Sequence, residues 1–440
     1  MKIEQFDPQR PGDLVDPETG WVNRRVFVDA DVHAMELKRI FAQTWLFVGH
    51  ESEVSAPGDY VTRIMGDDPV ILSHSSDGQF RVFLNACPHR GALVCRADAG
   101  NSPSFNCPYH GWTFRNDGHL HSLADKPESY KNKVDFDDYN LVQARVGVYA
   151  GLIFATFNEA APDLETHLGN ARWYIDLFFN RTPNGAEVLG APVKWVANMN
   201  WKYGAINFAA DGPHALAAHG PISRMAIDMP TEALVEIAKN GPAVRIGNGH
   251  GCIFVPGPPG FPDWTGFDPA TVPLYEHMLS AGQLGQLKNM FNGVMTVFPN
   301  LSWVHFPVTL SPKKPPVNFF NMRVWQPTSA SSSEIWGWFL ADKESADEYK
   351  EASLRLGIQT FTGAGTFDQD DSEAWASMDL GSRGTIGRQR MSSFQMILAG
   401  QEDLLPDFPG PGEAYHSTYS EMSEFGVLLK WREMMQTGGA

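Results

Sequence analysis

Cys87 and His89 stand two positions apart in "CPHRG", and Cys107 and His110 stand three apart in "CPYHGW", with the 17 residues 90 to 106 between the pairs. Thiolate and imidazole both bind transition metals well, so four such side chains this close together point to a metal. One reading is a structural Cys2His2 zinc site. Zinc ligands, however, usually come in like pairs, Cys with Cys and His with His. Here each pair offers one cysteine and one histidine. That split suits a [2Fe–2S] cluster held by two thiolates on one iron and two imidazoles on the other. Gly91, Gly111, Pro88 and Pro108 beside the ligands would let backbone amides approach the sulfides and tune the potential.

Short strands must carry these loops. "DYVTRI", "PVILS", "FRVFLN" and "VGVYAGLIFATF" read as β-structure, separated by turn signals at Gly66-Asp67-Asp68 and Asp77-Gly78, and together predict a small all-β domain over residues 58–157. Each Cys/His pair then falls at the tip of a loop that follows a strand. Ahead of this domain, "DADVHAMELKRIFAQTW" predicts one amphipathic helix capped by Asp31, with Met35, Ile40, Phe41 and Trp45 on its apolar face. Behind it, "DLETHLGNARWYIDLFF" places Leu164, Leu168, Ala171, Ile175 and Phe178 on one helical face. A larger α+β region follows, in which "VMTVFPNLSWVHF", "VNFFNMRVWQP" and "SEIWGWFLAD" read as antiparallel strands.

Bulk properties narrow the function classes. At 440 residues and 43% hydrophobic composition the chain can bury a large core in two or three domains. Four cysteines cannot form a disulfide framework in a chain this size, which points to a reducing compartment. The opening "MKIEQFDPQRPGDL" has neither a basic nor an apolar leader region, and no stretch reaches the length of a membrane span, so a cytoplasmic protein is expected. A formal net charge of −17 argues against nucleic acid and anionic membrane surfaces as partners.

The fixed positions around the two pairs, Cys-x-His-Arg-Gly and Cys-x2-His-Gly-Trp, closely resemble a Rieske centre. Cys95 is then surplus to the ligand set, and Cys252 reads as a buried thiol. A Rieske cluster carries one electron, and the residues that could use it lie about a hundred positions on, in "NWKYGAINFAADGPHALAAHGP". His214 and His219 are five apart, which on a regular helix sets them about 140° apart. A π-bulge or a local break would bring them together, and Gly212-Pro213 supplies a cause for irregularity.

With Asn200-Trp201-Lys202, Asn207, Asp211, His214, His219 and the distant pair Asp370-Asp371, the chain resembles the α subunits of Rieske non-haem iron aromatic-ring dioxygenases. The resemblance implies an α+β fold: an all-β Rieske domain at 40–160 and a catalytic domain at 161–440 built on an antiparallel sheet flanked by helices in a helix-grip arrangement. Residues 1–39 would form an arm and helix packing on the catalytic domain. It implies a mononuclear Fe(II) held by His214, His219 and Asp371, a triad that leaves one face open for O2 and substrate. It further implies that Asp211 links His214 to the Rieske histidine His110 of a neighbouring subunit, with Asn207 beside it. The pocket would be lined by Phe208, Gly212, Ala215, Leu216, Phe361 and Phe367. None of these is charged, which fits a neutral polycyclic or biaryl arene rather than a carboxylated one.

Implied partners are a ferredoxin with an NADH-dependent reductase, since no nucleotide-binding fingerprint is present. Arg90, Arg96, Arg115 and Lys126 are candidates for a local cationic dock. An α3 homotrimer or an α3β3 assembly with a small β subunit is also implied. The expected reaction is cis-dihydroxylation, with monooxygenation, demethylation or angular attack on a dibenzofuran-like ring as alternatives. Ile206, Pro213 and Ala218 stand where the family often has Glu, Tyr, and Thr or Ser. A bare electron carrier would leave the C-terminal part without purpose, and a zinc hydrolase on the same triad would not need a redox cluster.

Overall fold

The computed structural model describes residues 10–124, 126–131, 133–220, 232, 235, 239, 241–309, 311 and 313–436, with the side chains of Lys126, Pro127 and Gln401 excepted. The chain divides into two compact units, residues 41–164 and residues 1–40 together with 165–440.

The first element of interest departs from expectation. Helix α1, Ala30–Glu36, is capped by Asp29, whose side chain accepts from the backbone N–H of Asp31, and it passes into one π turn over Leu37–Phe41. Trp45 lies beyond it. The buried positions are Val32, Glu36, Ile40 and Phe41, with Trp45 buried beyond them, whereas Met35 is only half-buried. Apolar periodicity finds Ile40, Phe41 and Trp45 but not the central core residue, because that residue is a carboxylate. Glu36 accepts hydrogen bonds from Lys202 Nζ at 2.5 Å, Trp201 Nε1 at 2.9 Å and Trp431 Nε1 at 2.6 Å. A buried carboxylate is tolerated only when paired and hydrogen-bonded in this way.

In the smaller unit the strands are β1 (Leu46–His50), β2 (Asp59–Met65), β3 (Asp68–His74), β4 (Phe80–Leu84), β5 (Ala99–Asn101), β6 (Ser104–Asn106), β7 (Thr113–Arg115), β8 (Leu120–Ser122), β9 (Gln143–Tyr149) and β10 (Leu152–Thr156). Seven form one antiparallel sheet in the order β1-β10-β9-β4-β3-β2-β5, and β6-β7-β8 form a second. Two-residue turns close the tight hairpins. Gly66 at φ 66° joins β2 to β3, and Ala150-Gly151, both with positive φ, join β9 to β10, as such turns require. A core of Ile71, Phe83, Phe105, Trp112 and Phe114 reaches up to Cys87 and Cys107.

The larger unit is built on a nine-stranded antiparallel sheet. Its elements are α2 (Ala171–Phe179), β11 (Ala186–Val188), β12 (Val193–Ala197), α3 (Trp201–Ala210), α4 (Gly212–Ala217), β13 (Ala243–Gly247), β14 (His250–Pro256), β15 (Met290–Val297), β16 (Leu301–Val308), β17 (Val317–Ser329), β18 (Ser332–Asp342), α5 (Asp347–Thr360), α6 (Asp368–Arg383), β19 (Glu413–Tyr415) and α7 (Met422–Gln436). The strand order is β11-β18-β17-β16-β15-β14-β13-β19, with β12 also pairing β18. The three segments read as strands from sequence fall in β15–β18.

Helix α3 lies across β14–β17, and α7 packs against both α3 and strands β13–β14. All ten of its residues are buried, as expected of a helix gripped between layers. Gly204 lets the helix approach the Trp325 ring, where a Cβ would collide. Asn200 caps it and also donates to the carbonyl of Ala330. The Asn-Trp-Lys triplet is therefore architectural: it caps α3 and ties it to Glu36 of α1. Replacing Glu36 with Gln leaves Lys202 buried without its counter-ion; we expect a loss of about 3–5 kcal/mol of stability, measurable as a lowered denaturation midpoint.

Candidate mononuclear metal centre and cluster loops

Helix α3 ends where Pro213 lacks the N–H that would bond to Ala209, and the orphaned carbonyl of Ala209 accepts instead from Ser423 Oγ of α7 at 2.8 Å. Asp211 restarts the chain as N-cap of α4, its Oδ1 accepting from the backbone N–H of His214 at 3.2 Å. Gly212 has no room for a Cβ beside Thr418. Helix α4 closes after Ala217, and His219 lies in the turn that follows. The break that reunites positions i and i+5 is thus the early end of α4. Gly212-Pro213 instead begins the new helix. The two rings meet edge to face at 5.1 Å.

The third side chain arrives on α6. Its first turn, "DQDD", carries three carboxylates, which suits the positive end of the helix dipole. Each meets a cation or an imidazole nitrogen, two of them at opposite nitrogens of one ring. Asp371 Oδ1 lies 3.1 Å from His219 Nε2 and 3.8 Å from His214 Nε2. Asp370 Oδ2 lies 3.5 Å from His219 Nδ1. Asp368 takes both guanidinium nitrogens of Arg323, at 2.6 and 2.8 Å, with the pair almost fully buried. His214 Nδ1 is turned to the backbone carbonyl of Asp211 and lies 3.6 Å from its Oδ1. Both imidazoles therefore present Nε2 to a common point while their Nδ1 atoms are oriented from behind, as metal-binding histidines are.

The donors of His214, His219 and Asp371 all lie within 4.8 Å of one another. Donors on a shared ion with bonds near 2.1 Å sit about 3–4 Å apart, so the set fits one metal after small adjustments. Electrostatics agree. Burial opposes charge on His214, but Asp211 first and then Asp371 outweigh it and raise the imidazole to about 9. Burial likewise pulls Asp371 up, yet its hydrogen bond to His219 and the charges of both histidines hold the carboxyl below its usual range. A field that favours a proton here also favours a metal cation.

Phe208, Gly212, Ala215, Leu216, Phe361 and Phe367 line the same cavity as the triad, together with Asn207 and Asp211. Phe361 and Phe367 stack at 5.3 Å, and Phe367 meets His219 edge to face. Asn207 Nδ2 reaches Asp211 Oδ2 at 3.5 Å. Sequence reasoning missed the opposite wall, formed by Ile253, Val255, Asn292, Val294, Val304 and Phe306 of β14–β16. It also missed Arg323, which lies 5.3 Å from the Phe208 ring and 5.1 Å from that of Phe361. A lone arginine inside the apolar run "VNFFNMRVWQP" was the available signal. Its charge is matched by Asp368, so the cavity wall stays effectively neutral.

The cluster loops repeat one backbone design. In each, the cysteine N–H bonds to the carbonyl five residues on, Ala92 or Trp112, and the glycine four residues on returns its N–H to the cysteine carbonyl. Gly91 and Gly111 close these turns at φ 74° and 73°, where a side chain would be strained. The histidine occupies the third place of one turn and the fourth of the other, which explains the unequal spacing. The rings of His89 and His110 meet at 4.5 Å, and His89 stacks on Trp112. Burial, then the neighbouring Cys107, pushes the Cys87 thiol up. His89 Nδ1 is buried without a hydrogen-bond partner, an orphaned donor that a cluster iron would satisfy. Two buried thiols and two half-buried imidazoles thus fit a [2Fe–2S] group. Cys95 points to the carbonyl of Ala97, and Cys252 is fully buried with its thiol pushed well up, so it is inert.

Residues 44–134 match the Rieske [2Fe–2S] domain family. The chain is 34% identical to the biphenyl dioxygenase α subunit of Metapseudomonas furukawaii, over 98% of this chain and 94% of that protein. It is 35% identical to the benzene 1,2-dioxygenase α subunit of Pseudomonas putida, over 96% and 92%. The crystal structure of naphthalene 1,2-dioxygenase from Rhodococcus sp. bound to indole superposes with a TM-score of 0.92 at 33% identity, covering 98% of each chain. Fold and site thus define a Rieske-type oxygenase subunit. More narrowly, the chain belongs to the α subunits of the aromatic-ring-hydroxylating dioxygenases.

Two substitutions separate ligand from orienting group. Asp371→Ala should abolish metal binding at the triad while the visible spectrum of the cluster persists. Asp370→Ala should retain the site but weaken its metal affinity by about 10–100-fold, measured by competition with a chelator.

Proposed function

We propose that this chain is the terminal oxygenase α subunit that cis-dihydroxylates a neutral aromatic hydrocarbon, polycyclic or biaryl, with O2 and electrons from a ferredoxin. The observation that carries this reading is the convergence of His214, His219 and Asp371 at one end of a cavity whose other walls are almost entirely apolar. When bound, the mononuclear iron supplies O2 activation and the Rieske cluster, held by Cys87, His89, Cys107 and His110, supplies an electron.

The chain's own residues bind and orient. The Phe361–Phe367 stack and the strand floor offer flat apolar surfaces to an aromatic ring, with the triad at its edge. Phe208, Gly212, Ala215 and Leu216 complete this enclosure from the helix side. Asp370 and the Asp211 carbonyl hold the imidazoles in one orientation. Asp211 caps α4 with one oxygen and is about a third exposed, so capping does not exhaust it. We assign it the further task of linking His214 to His110 of the partner subunit, with Asn207 steadying its second oxygen. On this reading the working unit is α3 or α3β3.

We assign residues 40–160 to the Rieske domain, 161–440 to the mononuclear iron domain and 1–39 to an arm on the latter. A ferredoxin served by an NADH-dependent reductase would dock at the exposed Arg90, Arg96 and Arg115; the side chain of Lys126 lies outside the described residues. The four free cysteines support a cytoplasmic setting. No helix among the described residues is long and apolar enough to cross a membrane.

Iron and sulfide are quantified on anaerobically purified protein, and the reduced enzyme is then reacted once with O2 and a panel of arenes. Three irons and two sulfides per chain with a cis-dihydrodiol product are expected. Phenolic, demethylated or ring-opened ether products would favour the alternative reactions instead. Cys87→Ser should bleach the visible spectrum. Asp211→Asn should keep both metals yet lose turnover, and normal turnover would remove the proposed link.

A further inference from the structure

Three neighbouring strands floor the cavity: Ile253 and Val255 from β14, Phe291, Asn292 and Val294 from β15, Val304 and Phe306 from β16. Register sets Asn292 opposite Val255, and Val294 between Ile253 and Val304. Six of the seven are apolar. Alternation along β15 turns Asn292, Val294 and Thr296 to one face. Thr296 is satisfied there by the carbonyl of Ala205 and the hydroxyl of Ser302. Asn292 is not: its Oδ1 is buried and has no hydrogen-bond partner among the described residues. Buried amides are bonded as a rule, and asparagine is a poor strand former. Packing alone would be served better by Val or Leu at this place.

We infer that Asn292 determines specificity by recognising one hydrogen-bonding group on the ring system, so that the site favours an arene carrying a ring N–H or hydroxyl over the hydrocarbon of the same shape. The inference rests on the aromatic-oxygenase reading and revises its substrate class from the plain hydrocarbon to a neutral arene that carries one such group. An amide accepts through one atom and donates through the other, and rotation about its last bond exchanges the two. It therefore meets a neutral polar group without demanding an ion. A site built to pair a substrate N–H or O–H rejects the analogue that lacks it, because its own polar atom is then left unpaired. Asn292 sits on a paired strand, not a mobile loop, and shares the cavity with His214, His219 and Asp371. The hydrogen bond would thus also fix which ring edge turns toward the triad.

Indole and indene differ by N–H against CH2 at nearly constant shape. Each is titrated by calorimetry into the anaerobic holoenzyme and into the Asn292→Leu holoenzyme. Indole should bind the wild type roughly tenfold more tightly than indene, and the ratio should fall to about one in Asn292→Leu. Equal affinities in the wild type, or an unchanged ratio in the variant, would overturn the inference. The wild-type comparison decides alone if the variant does not fold. Ring oxidation is scored on the same samples, so failure of the oxygenase reading appears as absence of product whatever the binding ratio.

Discussion

The catalytic unit depends on one constraint: three carboxylates crowded into the first turn of α6 must each be matched by a cation or an imidazole nitrogen. Like charges at this spacing repel, and burial deepens the cost unless each is paired. Arg323 neutralises Asp368 from the sheet, and burial together with the nearby Asp371 still raises that carboxyl to about 6 despite the bidentate pairing. Asp371 is stabilised by the two histidines and Asp370 by the far side of His219. The turn is therefore pinned from three directions, and the pinning is what aims Asp371. A metal held by His214, His219 and Asp371 would add positive charge to this same cluster.

The same logic of enforced pairing runs back to α1. Glu36 is buried, and its charge is matched by Lys202 at the start of α3, with two indole N–H groups completing its shell. That contact fixes where α3 begins; Pro213 fixes where it ends. Between these limits the helix delivers Asn207 and Phe208 to the cavity and then the Asp211 cap, from which His214 follows one turn later. Position in the site is thus set by charges and by a missing N–H at both ends of one fully buried helix.

The cluster loops show a different economy. Two five-residue turns with the same hydrogen bonds and the same left-handed glycine differ only in where histidine falls. Cysteine opens each turn with its side chain against the core. The histidines touch each other and are only half-buried.

Much of this was legible in the chain itself. The Cys/His spacing, the left-handed glycines and the His-x4-His run are local, and local chemistry survives in the order of residues. The strands from β15 to β18 were readable because turns and apolar residues repeat at short range. The buried side of α1 was legible only in part: Ile40, Phe41 and Trp45 were, but periodicity counts apolar residues and the decisive one is Glu36. Arg323, Asp368 and the orienting role of Asp370 were not legible, since their partners lie on other elements. Sequence by itself determined the ligand types and the turns that present them, because those follow from side-chain chemistry and backbone φ over a few residues. Only the tertiary structure decided which carboxylate meets which imidazole and that Asn292 is left unpaired in an apolar floor. Those facts depend on strand register and helix ends set by contacts hundreds of residues apart.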